Sequence, residues 1–258
     1  MSWRRKSDGP FFLRISHQRV KYTTMQLNPS TVEQVTAATN LPLAIVSLAA
    51  MTSLYLRRHA HPLRAWLWIG MFGGLTIATG LGVFAHGLAL DPAGLQAIWR
   101  PINAALGFSV ACFTAGALLD RWGPRTARRA LSGLLLASAG FFGYVTFVAS
   151  SFLPFILYEG LAMLFCLAAY LTLWPQRLLA GAGWMVLGVG ITILAAVLQA
   201  MPAMAFRCGV TFDHNGVFHL VQLPGLLCLL TGVQIGLGHT LRKASNPAGM
   251  FPGFLRFP

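Results

Sequence analysis

The chain has 258 residues, of which 56% are hydrophobic and 10% charged, with a mean hydropathy of +0.65. That excludes an ordinary soluble domain, whose exposed surface has to be covered with polar groups. Six acidic residues stand against nineteen Lys and Arg, a formal net charge of +13, but the basic residues sit in tails and short loops and no aromatic-interleaved basic module is present. Nucleic acid is therefore not an expected partner, and the charge reads as a topology signal.

The predicted class is all-α, a polytopic membrane protein built as a seven-transmembrane-helix bundle. Residues 1–37 read as a basic N-terminal tail, with Met25 as a candidate for the true start, residues 38–241 as the membrane domain, and residues 242–258 as a C-terminal tail. Within NPSTVEQ, Ser30 has the position of an N-cap and Glu33 follows three residues later, the spacing of a capping box. Seven apolar segments follow at about 38–57, 65–90, 98–119, 127–149, 152–174, 178–200 and 215–240, each near or above the roughly 20 residues that cross a bilayer core. Cys112, Cys166, Cys208 and Cys228 have no CxxC spacing; three lie in apolar runs and read as small buried hydrophobes, and Cys208 lies in a connection. Glycines on segments 2 and 6 read as close-packing surfaces.

Basic residues in the loops orient the bundle. Segments 1–2, 3–4, 5–6 and the C-terminal tail hold eleven, against Arg100 and Arg207 in the opposite loops. This places the C-terminus in the cytoplasm, in an inner or plasma membrane. The six basic residues of the N-terminal tail argue the other way, a conflict that a start at Met25 removes.

Parity then gathers polar residues at the other, outer end: His86 and Asp91 on segment 2, Arg100 and Asn103 on segment 3, Tyr158 and Glu159 on segment 5, and FDHNGVFHLVQLP at the mouth of segment 7. That last stretch carries Asp213, His214, Asn215, His219 and Gln222, and intramembrane polar groups in such number need partners. Asn215 and His219 are four apart and share a helical face with Gln222 close by, whereas His214 is displaced from His219 by roughly 140°. Two imidazoles on facing helices with a third donor suit a zinc site with an open position for water, and His214, Asp213 and Glu159 are the candidate third ligands. The plainer reading of His86 and His219 is a polar network that ties helices 2 and 7 together. Asp91 and Asp213 also read as helix-end residues, Glu159 calls for a partner such as Arg100 or a metal, and His59, His61 and His239 read as interface anchors.

Seven helices, a His toward the end of helix 2 with an Asp after it, and a helix 7 opening Asp-x-x-x-x-x-His-Leu resemble the superfamily of alkaline ceramidases, progestin and adipoQ receptors and Per1-like proteins. The resemblance implies a zinc site for hydrolysis of lipid amides. It maps the helix 2 His onto His86, the Asp onto Asp91 and the second His of the helix 7 pair onto His219. The first His of that pair falls on Asn215, and the helix 2 Ser on Gly82.

The expected function is thus a zinc-dependent intramembrane hydrolase of a lipid amide or ester. His86 and His219 hold the metal with His214 or a carboxylate, Asp91 serves as base, and Asn215, Asp213, Glu159 and Gln222 bind substrate or complete the polar network. The alternative is a non-catalytic seven-helix protein, a lipid sensor or partner-binding subunit. A transporter ranks third, since neither inverted repeats nor broken helices are visible. Membrane lipids are the expected partners, with a second copy of the chain or other membrane subunits as further candidates.

Overall fold

The computed structural model describes residues 26–59, 61–148 and 153–245. Seven helices run through them: α1 Thr31–Leu56, α2 Pro62–Gly87, α3 Pro92–Trp122, α4 Pro124–Phe147, α5 Leu153–Leu173, α6 Ala182–Gln199 and α7 His214–Ser245. All seven contain a stretch long and apolar enough to cross a membrane, so the chain is a multi-pass helical bundle. Residues 1–25, including the proposed start at Met25, and the tail beyond Ser245 lie outside the described residues.

Local chemistry sets most helix starts. Pro62, Pro92 and Pro124 each occupy the opening of their helix, where a missing N–H costs no hydrogen bond. Ser30 caps α1 by accepting from the Glu33 N–H at 3.4 Å. Helix α1 therefore begins at Thr31, and seven residues assigned to the tail belong to the first helix. The reciprocal half of the capping box does not form, because the Glu33 side chain is drawn to His86 instead.

A two-stranded antiparallel hairpin was not expected from the sequence. Strands β1 (Ala205–Cys208) and β2 (Val210–Asp213) pair Phe206 with Phe212 and Arg207 with Thr211. Gly209 turns between them with φ +72°, a backbone region that glycine adopts without steric cost. The alternation in AFRC-G-VTFD was its sequence signal. β2 leads directly into α7.

Helix α1 packs on α2 and α7, α2 on α3, α3 on α4 and α5, α5 on α6, and α6 on α7. Six helices thus close a ring, and α4 lies outside it against α3. The apolar core inside the ring centres on Trp68 and Phe72 of α2, Phe113 of α3, Tyr170 of α5, Met185 of α6 and Leu229 of α7. Small residues let helices approach: a Cβ on Gly74 would lie 2.2 Å from the Ser109 Oγ of α3, as expected for interfaces packed without a hydrophobic drive from lipid.

The two ends of the ring differ. At the end formed by the start of α2 and the finish of α3, buried Arg64 pairs with Asp120 at 3.1 Å, and the Tyr170 hydroxyl donates to the same carboxylate oxygen at 3.1 Å. At the opposite end the ring opens into a cavity.

Candidate functional site

The cavity end is closed by backbone before any side chain takes part. The Asn28 N–H donates to the Gly87 carbonyl and the Ala89 N–H to the Gln26 carbonyl, each at 2.9 Å. These bonds pin the start of α1 to the finish of α2, and so place Glu33 beside His86. The Glu33 Oε2 lies 2.6 Å from His86 Nδ1, and the Trp99 ring of α3 meets the same imidazole edge-on.

Nearly two turns further along α1, Thr39 Oγ1 sits 2.9 Å from Nδ1 of the buried His219. On each imidazole Nδ1 is thereby engaged and oriented, which leaves Nε2 as the ring nitrogen for another group. Thr36 donates its hydroxyl to Asp213 Oδ1 at 2.9 Å, and the same oxygen accepts the Gly216 N–H at 2.8 Å. Asp213 is thus the cap of α7 and ties that helix to α1.

The amides continue this network in a fixed direction. Asp213 Oδ2 can only accept, so it takes the Asn215 Nδ2 at 3.5 Å, and Asn215 Oδ1 then faces Gln199 Nε2 at 3.2 Å. Gln222 Nε2 donates to Thr192 Oγ1 at 3.1 Å, because that hydroxyl spends its proton on the Gly188 carbonyl at 3.0 Å. In both glutamines the amide NH2 is used within the protein and the carbonyl oxygen is left without a partner, as is Glu159 Oε2. Buried acceptors without partners are rare in folded proteins.

These groups surround a cavity of about 590 Å3. Its polar lining comes from Asn40 of α1, Thr79 and His86 of α2, Glu159 of α5, Gln199 of α6, and His214, Asn215, His219 and Gln222 of α7. Leu43, Leu75, Ile102, Leu106, Phe155 and Phe218 supply apolar wall.

Of the residues expected from sequence, His86, His214, Asn215, His219, Glu159 and Gln222 come together around this space. Asp213 stands behind it as a cap. Asp91 does not join them: it caps α3, its Oδ1 accepting the Gly94 N–H at 2.7 Å, and it is exposed. Arg100 is likewise exposed and outside the cavity lining; the expected pairing with Glu159 Oε2 does not form. Among the described residues no three His, Cys, Asp or Glu side chains form a group able to hold a metal ion. His86 and His219 both line the cavity, and among the described residues neither His214, Asp213 nor Glu159 joins them in such a group.

Thr36, Thr39 and Asn40 on α1, with Gln199 on α6, were missed. Parity alone could have found them, since α1 begins and α6 finishes at the same end as the gathered polar groups.

A model described as a family of unknown function, DUF6962, matches residues 35–237. The chain belongs to that family. No curated protein and no solved structure matches the chain. Every residue lining the cavity of this DUF6962 protein falls inside the matched stretch, while Glu33 lies two positions before it.

Proposed function

We propose that this protein binds an amphiphile, an apolar chain bearing a hydrogen-bonding head group, in the cavity between α1, α2, α3, α5, α6 and α7. The observation that carries the proposal is a space of about 590 Å3 with apolar walls and convergent polar groups, the composition and size typical of small-molecule sites. A bundle embedded in lipid has such molecules at hand. With Nδ1 held by Glu33 and Thr39, Nε2 of each neutral imidazole joins the carbonyl oxygen of Gln199 as an acceptor for a head group that donates hydrogen bonds.

Extraction and mass spectrometry of lipids retained by the purified protein test this reading. Wild type is expected to retain a defined amphiphile near one per chain, and Ile156→Trp, which fills the cavity from its α5 wall, to lose it while remaining monodisperse. Equal retention by both proteins would sink the proposal.

A second reading, zinc-dependent cleavage of a lipid amide or ester, is favoured by the setting of His86 and His219. Imidazoles that ligate metals commonly have their other ring nitrogen held by a carboxylate or similar group, as Nδ1 is held here by Glu33 and Thr39. Against it stands the commitment of Asp91, the expected base, to capping α3. Metal analysis of protein prepared without chelators separates the two readings. Stoichiometric zinc that disappears in His86→Ala supports the hydrolase, and its absence from wild type removes that reading without touching amphiphile binding.

A further inference from the structure

Below the large cavity, toward the core, lies a second space of about 30 Å3. That is room for one or two water-sized occupants. Glu159 and Gln222 line both spaces, and Ser109 of α3 and Thr192 of α6 complete the polar part of the smaller one. The remaining lining is aliphatic, aromatic or thioether.

The hydrogen bonding of these four residues has one sign. Ser109 donates its hydroxyl to the Ala105 carbonyl at 2.8 Å, with the Met71 carbonyl at 3.1 Å. Thr192 donates to Gly188, and Gln222 donates to Thr192. The hydroxyl protons of Ser109 and Thr192 and one amide proton of Gln222 are therefore committed to protein acceptors, which leaves oxygen lone pairs for the space. Gln222, more than nine-tenths buried, has its Oε1 unpartnered, and the Glu159 Oε2 is unpartnered as well. No Lys or Arg lines either space. Arg64, the buried guanidinium of the bundle, is paired to Asp120 at the other end.

A carboxylate taken out of water is costly without a counter-charge. Side-chain oxygens from four helices, one of them a carboxyl oxygen, around a space of this size complement a small hard cation, which takes oxygen ligands. A single carboxylate matches a single positive charge, whereas divalent sites gather more acidic ligands or keep a water shell too large for this space.

We infer that the space between Ser109, Glu159, Thr192 and Gln222 is a binding site for one sodium ion. The ion ties α3, α5, α6 and α7 together beneath the large cavity. Because Glu159 and Gln222 belong to both spaces, sodium also fixes two side chains of the floor on which an amphiphile would rest. The site itself does not depend on that amphiphile.

Thermal unfolding of the full chain in phosphatidylcholine nanodiscs tests it, with sodium chloride replacing choline chloride stepwise at constant ionic strength. Wild type is expected to show a saturable rise in Tm of about 5 °C, the effect of a ligand that binds only the folded state. Potassium should give a much smaller rise and Glu159→Gln none. Equal melting of wild type in sodium and choline would overturn the inference. So would the same rise with potassium, or with Glu159→Gln. Radiolabelled sodium binding to wild type, with Gln222→Met as a second variant, decides the matter if Glu159→Gln fails to fold: saturable binding weakened in Gln222→Met upholds the site, and no saturable binding refutes it.

Discussion

Two acidic residues show how much a single partner decides. The Asp120 side chain is buried and useful because Arg64 and Tyr170 meet it. Removing one member of a buried pair leaves the other charge uncompensated, at a cost of about 3–5 kcal/mol. Arg64→Met should therefore destabilise the bundle by that amount in chemical unfolding, and Arg64→Met with Asp120→Leu should recover much of the loss. Asp91 makes the contrasting case. It was legible in the sequence as a helix-end residue and also as a catalytic base, and its bond to the Gly94 N–H assigns it the first position. Asp91→Asn, an equally good cap, should leave Tm unchanged, whereas Asp91→Ala should cost about 1 kcal/mol. Amphiphile retention should be unaffected in both, and its loss in Asp91→Asn would show that the carboxylate acts at the cavity after all. Of the remaining candidates, His86 and His219 were legible because an ionisable group in an apolar run demands a partner. Thr36 and Thr39 were not, because a hydroxyl in a helix can satisfy itself on the preceding turn, as Thr76 does on the Phe72 carbonyl.

At the scale of elements, the seven apolar runs were readable from length and composition alone, while their ends depended on what they meet. Helix α1 starts seven residues before its apolar run, since Ser30 caps it and the bonds of Asn28 and Ala89 to neighbouring backbone hold its first turn against α2. The β1–β2 hairpin was hidden because its eight strand residues fall in a stretch that hydropathy reads merely as a connection. Close approach of α6 and α7 is a third property of elements. Gly181 opens α6 with φ +88°, and a Cβ there would lie 2.4 Å from the Gly232 carbonyl oxygen of α7. Both the backbone angle and the space oppose a side chain, so Gly181→Ala should lower stability by at least the roughly 1–3 kcal/mol of a strained left-handed residue. A melt within error of wild type would mean that the two helices are not held so tightly.

For the whole molecule, helix parity anticipated a polar end, but not the ring that gives the end a cavity. Ring closure is a matter of which helix packs on which, and a single sequence carries the apolar faces without their pairing. The exclusion of α4 from the ring had no signature of its own. Orientation is a proposal from loop charge: eleven basic residues against two predict a cytoplasmic C-terminus, and a reporter fused after Pro258 should then be cytosolic. A matched series of hexadecane, hexadecanol and palmitamide tests the cavity most directly, through the Tm of purified protein in nanodiscs. Hexadecanol and palmitamide should raise the Tm of wild type, hexadecane should not, and the rise should vanish in Ile156→Trp. An equal response to all three, or a response that survives in Ile156→Trp, would contradict a head-group-reading cavity at this end of the bundle.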